Sequence, residues 1–197
     1  MKNHSNEIRQ TMSIKILPAN PNWPAQFSII KALLERALPE GGLIHHIGST
    51  AVPNLVAKNV IDIQISLASL KDLETEAMVA AGCSLGRPIC DHCPPGMSLP
   101  QDELAKQFFR CNEPFVANIH VREKGRFNQR YPLLCRDYLR AHPLAAKAYG
   151  AIKQQLALHF PTDEDAYYDI KDPVFDLLMV GAEDWALSTA WVQPPSD

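Results

Sequence analysis

Hydrophobic residues recur at two different spacings along this chain, and the spacings predict an α+β fold. Between residues 25 and 38 apolar side chains return every three or four positions, which is typical of an amphipathic helix. Residues 43–47 and 60–67 are short runs rich in β-branched residues and predict strands. The same criteria predict a helix over 69–81, strands over 106–111 and 114–122, and helical regions over 136–160 and 166–191. Pro143 lies within the first of these helical regions, where it can start a fresh helix after a short break. We therefore expect a small mixed sheet of three to five strands flanked by helices, with a helical C-terminal half from about residue 136.

The polarity of the first twelve residues sets them apart from the rest. Residues 1–12 predict a flexible tail, and residues 13–197 predict a single domain without internal repeats. No apolar run approaches the roughly 20 residues that span a bilayer, and the first residues lack the apolar core of a signal peptide. We expect a cytoplasmic protein that does not bind membranes. The formal net charge of -3 gives no reason to expect general nucleic-acid binding.

The candidate chemistry lies in a Gly-Ser turn and the strand that follows it. Gly48 and Ser49 come directly after the predicted strand 43–47, where glycine lets the backbone approach an anion closely. Asp62 and Gln64 alternate with isoleucines in the next strand, so both point to one face of the sheet. A phosphate-holding turn beside an acid that could hold Mg²⁺ is the minimal equipment of nucleotidyl transfer. The ordinary alternatives are a turn without a ligand and a strand acid that faces solvent.

The longer segments around this turn resemble the GrpB family. The resemblance covers residues 23–185 and is carried by HIGSTAVPNL (46–55), Lys58, IDI (61–63), FFR (108–110), IHVR (119–122), NQRY (128–131), RDYLRAHP (136–143), AY (166–167), KDP (171–173) and AEDW (182–185). It implies a nucleotidyltransferase-like fold and a site of that kind. GrpB-like domains also resemble the extra domain that is fused to some dephospho-coenzyme A kinases.

The turn residues are the expected phosphate or nucleotide ligands. Ser49 offers a hydroxyl and a backbone N–H, Gly48 permits close approach, and Thr50 supports the turn. Lys58 could neutralise a phosphate as a mobile point charge. Asp62 is the expected catalytic acid and the metal ligand, and Mg²⁺ is the expected cofactor at a weak site.

Gln64 departs from the pattern of active nucleotidyltransferases, which pair two acids at this spacing. Its amide could still coordinate a metal through oxygen but carries no charge. The position of a third acid is held by Asn118 or His120. His120 is a candidate general base near neutral pH, with a structural, hydrogen-bonded histidine as the alternative.

Arginines and one of two adjacent histidines complete the expected ligand set. Arg110 and Arg130 are the preferred phosphate contacts, because arginine suits bidentate phosphate recognition. His45 and His46 alternate across the strand, so only one can face the site, and the resemblance favours His46.

The five cysteines predict reduced thiols without a metal. Cys90 and Cys93 have the spacing of zinc ligands, which Cys83, Cys111 or His120 could complete. No second Cys-x-x-Cys pair is present, and an odd count in a cytosolic protein argues against a disulfide framework.

Three functions are consistent with these features. The first is an enzyme that transfers a nucleoside monophosphate from a nucleoside triphosphate to an unknown acceptor. The second is a catalytically inactive module that binds a nucleotide or another phosphorylated small molecule. The third is an accessory or interaction protein whose helical half carries the function. Acids around Asp62 would favour the first, a neutral pocket lined by arginine the second, and an exposed apolar helix face the third.

Overall fold

The computed structural model describes residues 13–197, so the predicted tail at residues 1–12 lies outside the described residues. Five strands and five α-helices follow one another along this described part of the chain. Their bounds are α1 Trp23–Leu34, β1 Leu43–Ile47, β2 Ile61–Leu67, α2 Thr75–Ala80, β3 Cys83–Leu85, β4 Gln107–Cys111, β5 Ala117–Glu123, α3 Phe127–Ala141, α4 Pro143–His159 and α5 Glu164–Thr189. None of these helices is long and apolar enough to cross a membrane, which holds for residues 13–197.

The strands form one mixed sheet in the order β1-β2-β5-β4-β3. The central pair β2 and β5 is parallel, and the other neighbouring pairs in this sheet are antiparallel. The predicted α+β class with a small mixed sheet is confirmed.

The two faces of the sheet differ in polarity because β2 alternates. Its isoleucines, together with Ile119 and Phe109, pack on one face against Trp23, Phe27 and other apolar side chains of α1. The opposite face carries polar side chains, and α3 lies against it, where Gln64 donates to the backbone oxygen of Gln129. The polar face is therefore the one on which a site can be built.

The helical half has a second hydrophobic core. Side chains of α3, α4 and α5 pack together with Val52 and Leu55 from the loop after the Gly-Ser turn. The predicted helical region over 136–160 consists of two helices, and Pro143 starts the second of them, α4. The first, α3, already begins at Phe127, earlier than the predicted start at residue 136. A helix start is an ordinary place for proline, since its missing N–H is unpaired there anyway.

The expectation of reduced thiols is wrong for one pair of cysteines. Cys83 lies opposite Cys111 in the β3–β4 ladder, and the two form a disulfide with Cα atoms 4.3 Å apart. The three-residue strand β3 was not expected from the sequence, so nothing indicated that these residues are neighbours. Cys90, Cys93 and Cys135 are free thiols.

Candidate functional site

A row of polar side chains crosses the sheet at the end of β1. The register places Asp62 beside Ile47 on one side and Asn118 on the other, and Arg110 pairs with Asn118. Asn118 Nδ2 donates to Asp62 Oδ1 at 3.1 Å, and Arg110 Nη1 donates to Asn118 Oδ1 at 3.3 Å. Three strands thus hold these side chains in one line on the polar face.

Gly48 brings the Gly-Ser turn into contact with Asp62. Its φ of +69° lies in the left-handed region, and a Cβ at this position would be 2.5 Å from Asp62 Oδ2. A side chain would therefore meet both backbone strain and the carboxylate. The structure therefore brings the Gly-Ser turn and Asp62 together, and their expected role in binding phosphate and metal stays a prediction.

Lys153 of α4 completes the site and was not found from the sequence. Its Nζ donates to Ser49 Oγ at 2.8 Å and to the backbone oxygen of Val56 at 2.5 Å. Lys153 is only 3% exposed, and its Nζ lies 4.6 Å from the centre of the Tyr149 ring. Burial lowers the pKa of Lys153 to about 7, assisted by Lys171 and opposed by Asp62.

Two further lysines surround Asp62. Burial raises the pKa of Asp62, whereas the hydrogen bond from Asn118 and the charges of Lys171, Lys153 and Lys58 oppose that rise. Lys58 lies over the ring of Tyr168 at 4.7 Å and donates to its hydroxyl at 3.1 Å. The charges of three lysines therefore act on one carboxylate. Lys171 also pairs with Asp172 at 2.7 Å and Lys58 with Glu164 at 3.8 Å, so Lys153 is the cation of the three that has no salt bridge within residues 13–197.

His46 does not face this site. Its cross-strand partner is Ile63, and its ring stacks on Phe27 of α1 with centroids 4.8 Å apart, on the apolar face. His46 Nε2 and Thr50 Oγ1 share a hydrogen bond of 2.9 Å, so both side chains support the turn from behind. His45, opposite Gln64, is the histidine on the polar face. The prediction of His46 as a ligand is wrong, because His46 lies on the apolar face of the sheet and the strand register cannot be read from the sequence alone.

Gln64 is engaged elsewhere on the polar face. Its Oε1 accepts from Arg122 Nη1 at 2.8 Å, and its Nε2 donates to the Gln129 backbone oxygen at 2.8 Å. Arg122 is held in turn by Asp91, which accepts from its Nε at 2.7 Å. The oxygen and the nitrogen of the Gln64 amide are thus both used in a buried hydrogen-bond network, and neither is free to bind a metal beside Asp62.

The donors at Asp62 do not fit a two-metal centre. Mg²⁺ prefers several oxygen ligands, with carboxylates among them, and the Gln64 oxygen is already used by Arg122. Within residues 13–197 no group of three or more His, Cys, Asp or Glu side chains could hold a metal ion. The prediction of Mg²⁺ at Asp62 stays a prediction, and no chemical step is derived from it.

His120 and Arg130, two further residues expected in the site, are both engaged away from the Gly-Ser turn. His120 Nδ1 is buried without a hydrogen-bond partner among the described residues, and burial together with Arg122 and Lys106 lowers its pKa well below 6.5. A neutral imidazole is the form that a general base requires. Arg130 instead forms a two-pronged ion pair with Glu183 on α5, at 2.5 and 2.9 Å. The roles expected for both stay predictions.

The fold and these contacts define a class: an α+β protein whose mixed sheet carries a Gly-Ser turn, one acid and several lysines on its polar face. The chain belongs to the GrpB family, whose model, described as GrpB protein, matches residues 13–180. A crystal structure of GrpB from Enterococcus faecalis is similar with a TM-score of 0.68 and 27% identity, covering 87% of this chain and 99% of that one.

Curated relatives are about one-third identical to this chain over the aligned residues. It is 35% identical to a UPF0157 protein of Pseudomonas aeruginosa, over 82% of this chain and 64% of that protein. It is 32% identical to a dephospho-CoA kinase of Mycolicibacterium paratuberculosis, over 90% of this chain and 48% of the kinase. The chain therefore spans about half to two thirds of the length of these relatives.

Proposed function

We propose that the protein binds the phosphates of a small molecule at the Gly48-Ser49 turn. A nucleotide is the preferred candidate for this molecule. The observation that carries this proposal is the Lys153 Nζ, which lies 2.8 Å from Ser49 Oγ in a nearly solvent-free position. A buried ammonium is costly unless an anion compensates it, and Asp62 offsets only part of the fall in the pKa of Lys153.

The lysines and the turn would contribute different interactions to a bound phosphate. Ser49 Oγ accepts from Lys153 Nζ, so its own proton can be donated to a phosphate oxygen, and Lys153 Nζ can turn from Ser49 Oγ to the same phosphate. Lys58 and Lys171 add positive charge from the loop before β2 and from α5. Gly48, without a side chain, lets the turn pack directly against Asp62.

Nucleotidyl transfer is the second candidate, and the contact between Gly48 and Asp62 favours it. An acid at this place could act on an acceptor hydroxyl near the bound phosphates. The reaction would move a nucleoside monophosphate from a nucleoside triphosphate to an acceptor and release pyrophosphate. The single carboxylate is the reason why binding, and not transfer, is the principal proposal.

A thermal-shift screen tests the proposal. The four nucleoside triphosphates, their diphosphates and inorganic tripolyphosphate are each added with and without Mg²⁺ or Mn²⁺. We expect tripolyphosphate and at least one nucleotide to raise the melting temperature without metal, because the lysines supply the charge. Ser49→Ala should reduce the shift, and no shift with any compound would refute the proposal.

Asp62→Asn separates binding from transfer. Removing the negative charge beside three lysines should tighten metal-free tripolyphosphate binding several-fold, because like charges no longer repel. If transfer also occurs, the same variant should lose pyrophosphate release from nucleoside triphosphates. Weaker metal-free binding by Asp62→Asn would mean that the acid supports the ligand without a metal, whereas loss of the Mg²⁺-dependent binding alone would mean that it holds the ligand through a metal.

A further inference from the structure

Two arginines of α3 hold the backbone on either side of the Gly-Ser turn. On the side of β1, Arg136 Nη1 donates to the backbone oxygen of His46 at 2.9 Å. On the far side of the turn, Arg140 Nε donates to the backbone oxygen of Ala51 at 2.9 Å. The two arginines are four residues apart in α3 and therefore lie on the same face of the helix. One helix face thus fixes both ends of the turn.

Both of these carbonyl groups lack a partner within regular secondary structure. β1 is an edge strand of the sheet, so every second backbone carbonyl group along it has no neighbouring strand to bond. His46 carries such a carbonyl group, and its oxygen is taken by Arg136. Ala51 ends the short 3₁₀ turn Ser49–Ala51, and the last carbonyl groups of a helical turn find no donor within it. The two arginines supply the missing donors.

Acidic side chains hold the two guanidinium groups in place. Asp137 Oδ1 accepts from Arg136 Nε at 2.8 Å and lies 3.6 Å from Arg140 Nη1. Asp197 Oδ2 accepts from Arg136 Nη1 at 2.6 Å and from the His46 N–H at 2.8 Å. Arg136 is only 2% exposed, and a buried guanidinium group requires such acids. Because acids accompany both arginines, the main contribution of the arginines to the turn is the geometry of their hydrogen bonds.

We propose that Arg136 and Arg140 are positioning residues for the phosphate site. This role rests on the proposed function, in which Ser49 donates to a phosphate oxygen. A turn that is held at both ends presents the Ser49 hydroxyl in one arrangement before the ligand arrives, so binding does not have to order the turn. If the loss of one arginine contact reduces the correctly arranged fraction to about a tenth, the apparent affinity falls about 10-fold.

Arg140→Met and Arg140→Gln form a matched pair that separates the hydrogen bond from the charge. Arg140 is the residue to replace because it is partly exposed, whereas replacing the buried Arg136 would also test folding. Both variants remove the charge. The amide nitrogen of glutamine stands where arginine has Nε and can still donate to Ala51, whereas methionine has a similar length and no donor.

Calorimetric titration with tripolyphosphate measures the effect on the site. Arg140→Met should bind about 10-fold more weakly than the wild type, and Arg140→Gln should stay within about 2-fold of it. Lys147→Met is the control, because it removes an exposed positive charge from the neighbouring helix α4, and it should leave the affinity unchanged.

Hydrogen exchange of the turn amides gives a readout that overall stability does not determine. The Ala51 N–H donates to the Gly48 oxygen at 3.3 Å, and the Val52 N–H donates to the Ser49 oxygen at 3.2 Å. In Arg140→Met both amides should exchange about 10-fold faster relative to the amides of β2, because the turn opens more often. In Arg140→Gln the relative exchange rates should stay as in the wild type.

Three results would each overturn the positioning role. They are an equal loss of affinity in both Arg140 variants, an equal loss in Lys147→Met, and unchanged exchange of the turn amides in Arg140→Met. A wild-type protein that binds no tripolyphosphate would instead refute the proposed function. The exchange rates would then still decide whether Arg140 holds the turn.

Discussion

Anion binding at the Gly-Ser turn should be coupled to the protonation of Lys153. Only the charged ammonium attracts a phosphate, and its pKa of about 7 means that the fraction of charged lysine falls above neutral pH. Binding at pH 8 should therefore take up about 0.9 proton per site, and at pH 6 about 0.1. Between pH 6 and pH 9 the affinity should fall about 100-fold from this group alone.

Sulfate is the suitable probe for this coupling, because its charge is constant over the pH range. Calorimetric titrations in buffers of different ionisation enthalpy give the proton uptake directly. Lys153→Met should abolish both the uptake and most of the affinity. Lys147→Met, an exposed lysine on the same helix, should leave both unchanged. Proton uptake that persists in Lys153→Met would refute the reasoning.

The same lysine should make the free protein less stable at low pH. Burial lowers the pKa of Lys153 from 10.5 to about 7, and the whole of this shift corresponds to about 5 kcal/mol of free energy that opposes burial of the charged form. The unfolded chain binds the proton more readily, so this destabilisation is complete below pH 7 and disappears between pH 7 and 10.5. The two hydrogen bonds that Lys153→Met removes together contribute about 2 kcal/mol, which is subtracted from this gain. In urea unfolding at pH 6 the variant should therefore be more stable than the wild type by about 3 kcal/mol.

Three further predictions concern the turn, the buried ion pairs and the cysteines. Gly48→Ala should lower the free energy of unfolding in urea by about 2 to 4 kcal/mol, because a Cβ there meets Asp62. Gly96→Ala, at a φ of +82° with open space around it, should lower it by only about 1 kcal/mol. Equal losses would contradict the role of the Asp62 contact. Asp91→Asn should cost about 3 to 5 kcal/mol, because Arg122 and Lys106 lose their carboxylate, and exposed Asp102→Asn is the control. The charges of both cations lower the pKa of Asp91, so its contribution is present above about pH 4 and is lost as the pH falls further; an unchanged acid midpoint in Asp91→Asn would contradict this. Metal analysis of the purified protein should find no stoichiometric zinc, and zinc that Cys93→Ser removes would overturn that prediction.

Local patterns were sufficient for four of the five strands and for the turn. Alternation in β2 and the glycine after β1 are properties of neighbouring residues, and they placed Gly48 and Asp62 together correctly. The face of His46 was wrong because it depends on register, which is set by pairing with a neighbouring strand that follows a long loop.

The lysines could not be placed from local patterns because they reach the site only through tertiary packing. Lys153 and Lys171 belong to α4 and α5, far along the chain from the turn. One signal was present: Lys153 shares a helix face with the buried Tyr149 and Leu156, where a charged residue is unusual. Its interpretation needed the observation that this face of α4 packs on the Gly-Ser turn.

A crystal structure of the protein with bound tripolyphosphate tests the central claim most directly. We expect a phosphate oxygen within about 3 Å of both Ser49 Oγ and Lys153 Nζ, with Lys153 turned from Ser49 to the ligand. Tripolyphosphate bound elsewhere would contradict it, for example in the groove of about 470 Å³ between residues 53–56 and α4, beside Arg140 and Lys147, with the Lys153–Ser49 hydrogen bond unchanged.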